Sequence, residues 1–108
     1  MTTAQEKMEL AQARVSEHTD RLKSIGAVYK FVLEGDGGGT WVANFRDTVS
    51  IVAGDGEADC TITMAASDYV AMVEGRANPQ QLFFTGKLTV DGDMMLATKL
   101  GDIADILK

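Results

Sequence analysis

The side chains in this sequence whose types could do chemistry are a lone cysteine (Cys60), a lone histidine (His18), three acids spaced two apart (Asp55, Glu57, Asp59) and a glycine run (Gly35-Asp-Gly-Gly-Gly39). A nucleophilic cysteine needs a base or a helix N-terminus to hold its thiolate. None neighbours Cys60 in the sequence, so it reads as a small buried hydrophobe. A single cysteine also excludes an intrachain disulfide and any zinc site built on paired cysteines. His18 as a general base would need a serine or cysteine in a recognisable elbow, which the chain lacks. It reads instead as an imidazole at the core edge, hydrogen-bonded to a carbonyl.

The acids and the glycines fail equivalent tests. A calcium loop of the EF-hand type needs a glycine after its third acid and a bidentate glutamate six residues further on, whereas Cys60 follows Asp59. The stretch Gly54–Asp59 is therefore expected to be a solvated turn. The glycine run lacks Gly-Lys-Ser/Thr and leads into a strand pattern, so no helix N-terminus stands ready for a phosphate. A hairpin loop is the expectation, and neither a metal nor a cofactor is called for. The chain is not expected to be an enzyme.

The elements around these residues follow from periodicity. Met8, Ala11, Val15, Leu22 and Ile25, with His18 filling the gap, lay a stripe along one amphipathic helix over residues 3–25, stopped by Gly26. From Ala27 the period is two: Ala27, Tyr29, Phe31 and Leu33 share one face, then Trp41, Ala43 and Phe45, then Val49, Ile51 and Ala53, a three-stranded meander. Cys60, Ile62 and Met64 mark a fourth strand. Ser67 stands where an N-cap belongs, Asp68 complements the helix dipole, and Gly75 ends that helix. Pro79 in a first-turn position opens a short helix carrying Leu82, Phe83 and Phe84. Two adjacent aromatics cannot point the same way, so one should face the sheet and the other the space between helices or solvent. Leu88 and Val90 make a fifth strand. Leu96, Leu100, Ile103 and Leu107 line a last helix starting near Asp93, flanked by Met94, Met95 and Ile106. The predicted order is α-β-β-β-β-α-α-β-α, an α+β domain with a five-stranded mixed, largely antiparallel sheet covered on one face by helices.

Composition bounds the setting. The 108 residues are the size of one domain, 1–108, and apolar residues at 45% suit an ordinary globule. No run approaches the roughly 18 apolar residues of a membrane span, and Met1-Thr-Thr-Ala-Gln-Glu lacks the features of a secretory signal. The C-terminal Ile106-Leu107-Lys108 is not a peroxisomal address of the Ser-Lys-Leu type. A cytoplasmic location is expected. Residues 1–25 balance four acids with four bases, whereas twelve acids face six bases from Lys30 onward. That excess repels phosphate backbones, so no nucleic-acid partner is expected; the balanced, not basic, first helix leaves contact with membranes at most transient.

The ordered series Ala58-Asp-Cys-Thr-Ile-Thr-Met64, Ser67-Asp68, Gly75-x-x-Asn78-Pro79, Phe83-Phe84-x-Gly86-Lys87-Leu88 and Gly92-Asp-Met94, with Leu96-Ala97 and Lys99-Leu100, resembles the sterol carrier protein-2 family of lipid-binding domains. The resemblance implies a twisted five-stranded sheet with helices on one side and an apolar tunnel between the layers. It implies non-catalytic binding, with transfer as a possible extension, of fatty acid, fatty acyl-CoA or sterol-like molecules. Similar domains are fused to peroxisomal enzymes, so an alternative is an accessory domain presenting acyl substrates to an acyl-processing enzyme, or an oligomerisation module. A chain beginning at Met1 is expected to stand alone, as a monomer or weak homodimer.

Phe31, Leu33, Trp41, Phe45, Ile62, Met64, Met72, Leu82, Phe83, Phe84, Thr85, Leu88, Met94, Met95, Leu96, Leu100 and Ile103 are the expected tunnel lining. Unbranched thioethers among aromatics suit a pocket that accepts varied apolar shapes. Thr85 or Gln81 could meet a polar head group at the rim; relatives often carry glutamine where Thr85 stands. A dry cavity of ~300 Å³ would cost about 7 kcal/mol at roughly 24 cal/mol per Å³, comparable to the stability of a small domain. Either a ligand fills it, or the C-terminal helix moves inward or frays. Residues 93–108 are therefore the expected gate.

Overall fold

The computed structural model describes residues 3–107, with side chains through Ile106; Met1, Thr2, Lys108 and the side chain of Leu107, the last member of the expected C-terminal stripe, lie outside the described residues. Helix α1 (Ala4–Val15) starts at Thr3, whose hydroxyl accepts from the Glu6 N–H at 3.2 Å. Its buried stripe is Ala4, Met8, Ala11 and Val15. The single helix expected over 3–25 is divided: α2 (Thr19–Lys23) follows a break at Ser16–His18 and buries Leu22. Hydroxyls cause the break. Ser16 Oγ donates to Ala13 O at 3.2 Å, and Thr19 Oγ1 reaches both Val15 O and Ser16 O at 3.3 Å, competing with the helical ladder. His18 occupies this break as a half-buried residue, and its imidazole makes no hydrogen bond among the described residues, contrary to the expected carbonyl contact.

The sheet comprises β1 (Val28–Glu34), β2 (Gly39–Asn44), β3 (Ser50–Ala53), β4 (Cys60–Ala65) and β5 (Leu88–Gly92) in the spatial order β3-β2-β1-β4-β5. Only β1 and β4 run parallel; the other neighbours are antiparallel. The register assembles apolar rows on the inner face: Trp41, Phe31, Ile62 and Val90 in one, Leu33, Met64 and Leu88 in the next. Alternation in the sequence thus becomes one continuous core surface, as expected. The connection from β3 to β4 crosses the outer face, where Gly56 lies against Val42 and Lys30 Nζ meets Asp55 Oδ1 at 3.0 Å.

Asp59 corrects the expectation of a merely solvated turn. Its carboxylate accepts from the Val28 N–H at 3.0 Å and pairs with Arg46, and its backbone carbonyl accepts from Asp93 N–H at 3.0 Å. It thereby ties the starts of β1 and β4 to the end of β5. Gly92 passes so close that a Cβ there would sit 2.4 Å from Asp59 O; no side chain is tolerated at that joint.

Helix α3 (Ala66–Val73) begins directly from β4 with Ala65 as a cap that offers no side-chain hydrogen bond, so Ser67 lies inside the first turn and is not the N-cap expected. Asp68 does fall in that first turn. Helix α4 (Pro79–Phe84) starts as read, with Asn78 Oδ1 accepting from Gln80 N–H at 2.8 Å and Pro79 in the first turn. The C-terminal helix is again two pieces, α5 (Met94–Ala97) and α6 (Leu100–Leu107). The Leu96 carbonyl accepts from the Tyr29 hydroxyl at 2.7 Å and from Lys99 N–H at 3.2 Å, and Thr98 Oγ1 donates to Met95 O at 2.6 Å. Acceptors diverted in this way leave no regular ladder across Thr98–Lys99.

Candidate functional site

A groove of about 250 Å³ lies at the β5 side of the molecule. Helix α4 supplies Pro79, Gln80, Phe83 and Phe84; β5 supplies Leu88 and Val90; α5 and the turn after it supply Met94, Ala97 and Thr98; α6 supplies Leu100. Each set follows from local structure. Gln80, Phe83 and Phe84 are spaced i, i+3, i+4, as are Met94, Ala97 and Thr98, so each helix turns one face to the groove. Leu88 and Val90 alternate on the inner face of β5.

The mouth of the groove is apolar and exposed. Phe84 is 82% exposed and Met95 73%, with Phe83 and Met94 partly so. The two phenylalanine rings meet edge to face at 6.0 Å. Leu82 is buried, Phe83 is about half as exposed as Phe84, and both rings border the groove with Leu88 and Val90 of β5.

Behind the groove the layers close. An interior cavity of about 10 Å³ is bordered by Met8, Phe31, Ile51, Tyr69, Met72, Val73, Leu100, Ile103 and Ala104. Leu100, almost fully buried, borders both spaces and is the wall between them. In place of a continuous tunnel the structure shows an open groove and a much smaller, partly enclosed chamber that share Leu100.

Of the expected lining, Phe83, Phe84, Leu88, Met94 and Leu100 come together at the groove. Phe31, Met72, Leu100 and Ile103 border the chamber. Leu33, Trp41, Phe45, Ile62, Met64 and Leu82 are close-packed core that borders neither space. Met95 and Leu96 lie on α5 outside the lining, Met95 exposed and Leu96 half-buried. Thr85 caps α4, its hydroxyl donating to Gln81 O at 2.9 Å, and does not border the groove. Sequence reasoning missed Pro79, Gln80, Val90, Ala97 and Thr98. Helical spacing from Phe83 and Met94 would have found Gln80, Ala97 and Thr98.

Burial favours the neutral state of Cys60, Tyr29 and Tyr69. Burial, then the charges of Asp93, Asp59 and Asp91, pushes the Cys60 thiol up to about 11. It is therefore protonated at neutral pH, the opposite of an activated nucleophile. Burial also raises Tyr29 and Tyr69 above the usual phenol value. No group of three potential metal ligands occurs among the described residues.

An open five-stranded sheet roofed by helices on one face, with an apolar groove where the last strand meets the last helices, defines a distinct class of small α+β domain. Within that class the chain belongs to the SCP-2 sterol transfer family, whose model matches residues 8–105. It is 41% identical to human sterol carrier protein 2 over 100 residues, 88% of this chain and 18% of the human protein. It therefore spans about a fifth of the length of that relative. Among solved structures, sterol carrier protein 2 from Yarrowia lipolytica in its apo form superposes with a TM-score of 0.83 at 24% identity, covering 94% of this chain and 89% of that one. Sterol carrier protein-2 from Aedes aegypti in complex with palmitate gives 0.72 at 26% identity, covering both chains fully. The family's fold is a lipid-binding one. No helix among the described residues is long and apolar enough to cross a membrane.

Proposed function

We propose that this chain is a single non-catalytic domain, residues 1–108, that binds apolar lipids such as fatty acids, fatty acyl-CoA or sterol-like molecules in the groove between α4, β5 and α5, gated by α5 and α6. The observation that carries this is the groove itself, about 250 Å³ of mostly apolar lining with two phenylalanines and a methionine on its walls. Covering such surface gains about 25 cal/mol per Å². The volume falls just short of the roughly 300–1,000 Å³ of small-molecule sites. A whole ligand therefore enters as α5 and α6 swing away and carry Leu100 out from between groove and chamber, which restores the tunnel. The palmitate complex of the Aedes aegypti relative supports the ligand class. Transfer between membranes is part of the proposal; contact stays transient because the acid excess beyond Lys30 disfavours anionic surfaces. A reducing, cytoplasmic setting fits the unpaired Cys60.

Native mass spectrometry of the purified chain, with organic extraction of whatever it carries, and displacement of a fluorescent fatty acid test the proposal together. A chain ending at Asp93 is expected to lose binding by more than 10-fold. Undiminished affinity in that truncation defeats the gate, and no binding by the whole chain defeats the carrier.

A second reading, an accessory domain presenting acyl substrates to an enzyme, is favoured by one fact: the human relative is more than five times as long as its matching segment. A rise in kcat/KM of an acyl-processing enzyme on adding this chain would support it.

A further inference from the structure

Among the described residues, Tyr69 is the only one lining the interior chamber with a polar side-chain group, and no charged side chain borders that space. It is 3% exposed, and its hydroxyl donates to Met8 Sδ at 3.6 Å. A thioether is a weak acceptor, whereas a buried phenol ordinarily finds an oxygen. The ring is held in place, meeting Phe31 edge to face at 6.1 Å. Met8 borders the same chamber, so the hydroxyl and its poor partner both face space that a ligand reaches once Leu100 gives way. The chamber's 10 Å³ is at the lower limit for one water molecule, so water is not a ready substitute acceptor.

We propose that the Tyr69 hydroxyl donates a hydrogen bond to the polar end of a bound lipid, and that the end it selects is a neutral oxygen: an alcohol, a ketone or an ester carbonyl. The inference rests on the groove and chamber forming one lipid site. Neutrality follows from the surroundings. An ionised carboxylate buried beside one phenol, with no cation on the walls, would not recover its lost hydration. It stays at the groove mouth, and its alkyl tail lies inward. A neutral oxygen loses far less on burial and replaces the thioether as acceptor. Elevation of the phenol by burial keeps it a donor throughout the ordinary pH range.

The test is displacement of a fluorescent fatty acid by hexadecan-1-ol, hexadecane and palmitate, with the wild-type chain, Tyr69→Phe and Met8→Leu, at neutral pH. The preference for hexadecanol over hexadecane is expected to fall about 2- to 12-fold in Tyr69→Phe, the range of one neutral hydrogen bond. The preference for palmitate over hexadecane, whose alkyl tails meet the same ring, should be unchanged. In Met8→Leu, which removes only the competing acceptor, the preference should rise. The ratio is internal to each variant, so a change in stability does not mimic it. An unchanged alcohol-to-alkane ratio in Tyr69→Phe overturns the proposal, as does an equal fall in the palmitate-to-hexadecane preference. If the wild-type chain binds none of the three and no fluorescent acid, the lipid-site reading fails with it, a result distinct from binding without discrimination.

Discussion

The two sides of Leu100 use the same residue types to opposite ends. On the inner side Met8, Met64 and Phe45 are almost wholly buried; on the outer side Met94, Met95 and Phe84 stand largely in solvent. Thioethers inside fill irregular space between helix and sheet, where a gap forfeits dispersion contacts. Those outside project from α5 into solvent. Residue type alone does not separate core from binding surface. What separates them is whether a second layer is present: α1 lies over β3 and α3 over β1 and β4, whereas β5 has the short helices α4 and α5 beside it.

The sharpest break of this comparison is a pair of truncations. Phe45→Ala is expected to cost about 3–5 kcal/mol in urea unfolding, as a fully buried aromatic does. Phe84→Ala should change stability by no more than about 0.5 kcal/mol yet weaken fatty-acid binding. A cost above about 2 kcal/mol for Phe84→Ala would make the outer side a core after all. Next in size is the link between the sides. Tyr29→Phe removes the hydroxyl that donates to Leu96 O, and should cost about 1 kcal/mol. Hydrogen exchange should quicken across α5 and α6 while α1 amides keep their protection; a uniform change would show that Tyr29 does not restrain these two helices.

Another effect concerns pH. The Cys60 thiol ordinarily titrates near 9.0 and is raised to about 11 in the fold. The unfolded chain therefore loses that proton first, so the contribution is full below about pH 9 and is lost as pH rises toward 11. The urea midpoint should fall over that window more steeply in the wild type than in Cys60→Ala. Identical slopes would mean that the thiol ionises in the fold as it does in water.

Much of the sheet was legible. Alternation from Ala27 to Phe45 and from Cys60 to Met64 identified the inner face residue by residue, because a one-residue slip would have inverted every side chain. Asn78-Pro79 announced α4 through capping chemistry local to four residues. The failures share a cause at longer range. The break between α5 and α6 depends on Tyr29 reaching Leu96, 67 positions away, and the role of Asp59 on Val28, 31 positions away. Periodicity within a window cannot register such bonds. The break at Ser16–His18 was closer to hand, since Ser16 and Thr19 are hydroxyl residues that compete for helix carbonyls. At the groove, Phe83, Phe84 and Met94 were found because they are large and apolar. Gln80 and Thr98 escaped because only their position on a helix face marks them.

The outermost strand carries a last consequence. Gln12 on α1 donates its side-chain amide to Ile51 O on β3 at 2.9 Å. A free sheet edge is a template on which another chain can add a strand, and repetition of that step builds aggregates. Here the template is already partly occupied by the protein's own helix, so an incoming strand would have to evict Gln12 before it could pair. The edge strand farthest from the apolar groove is thus the one that α1 partly masks.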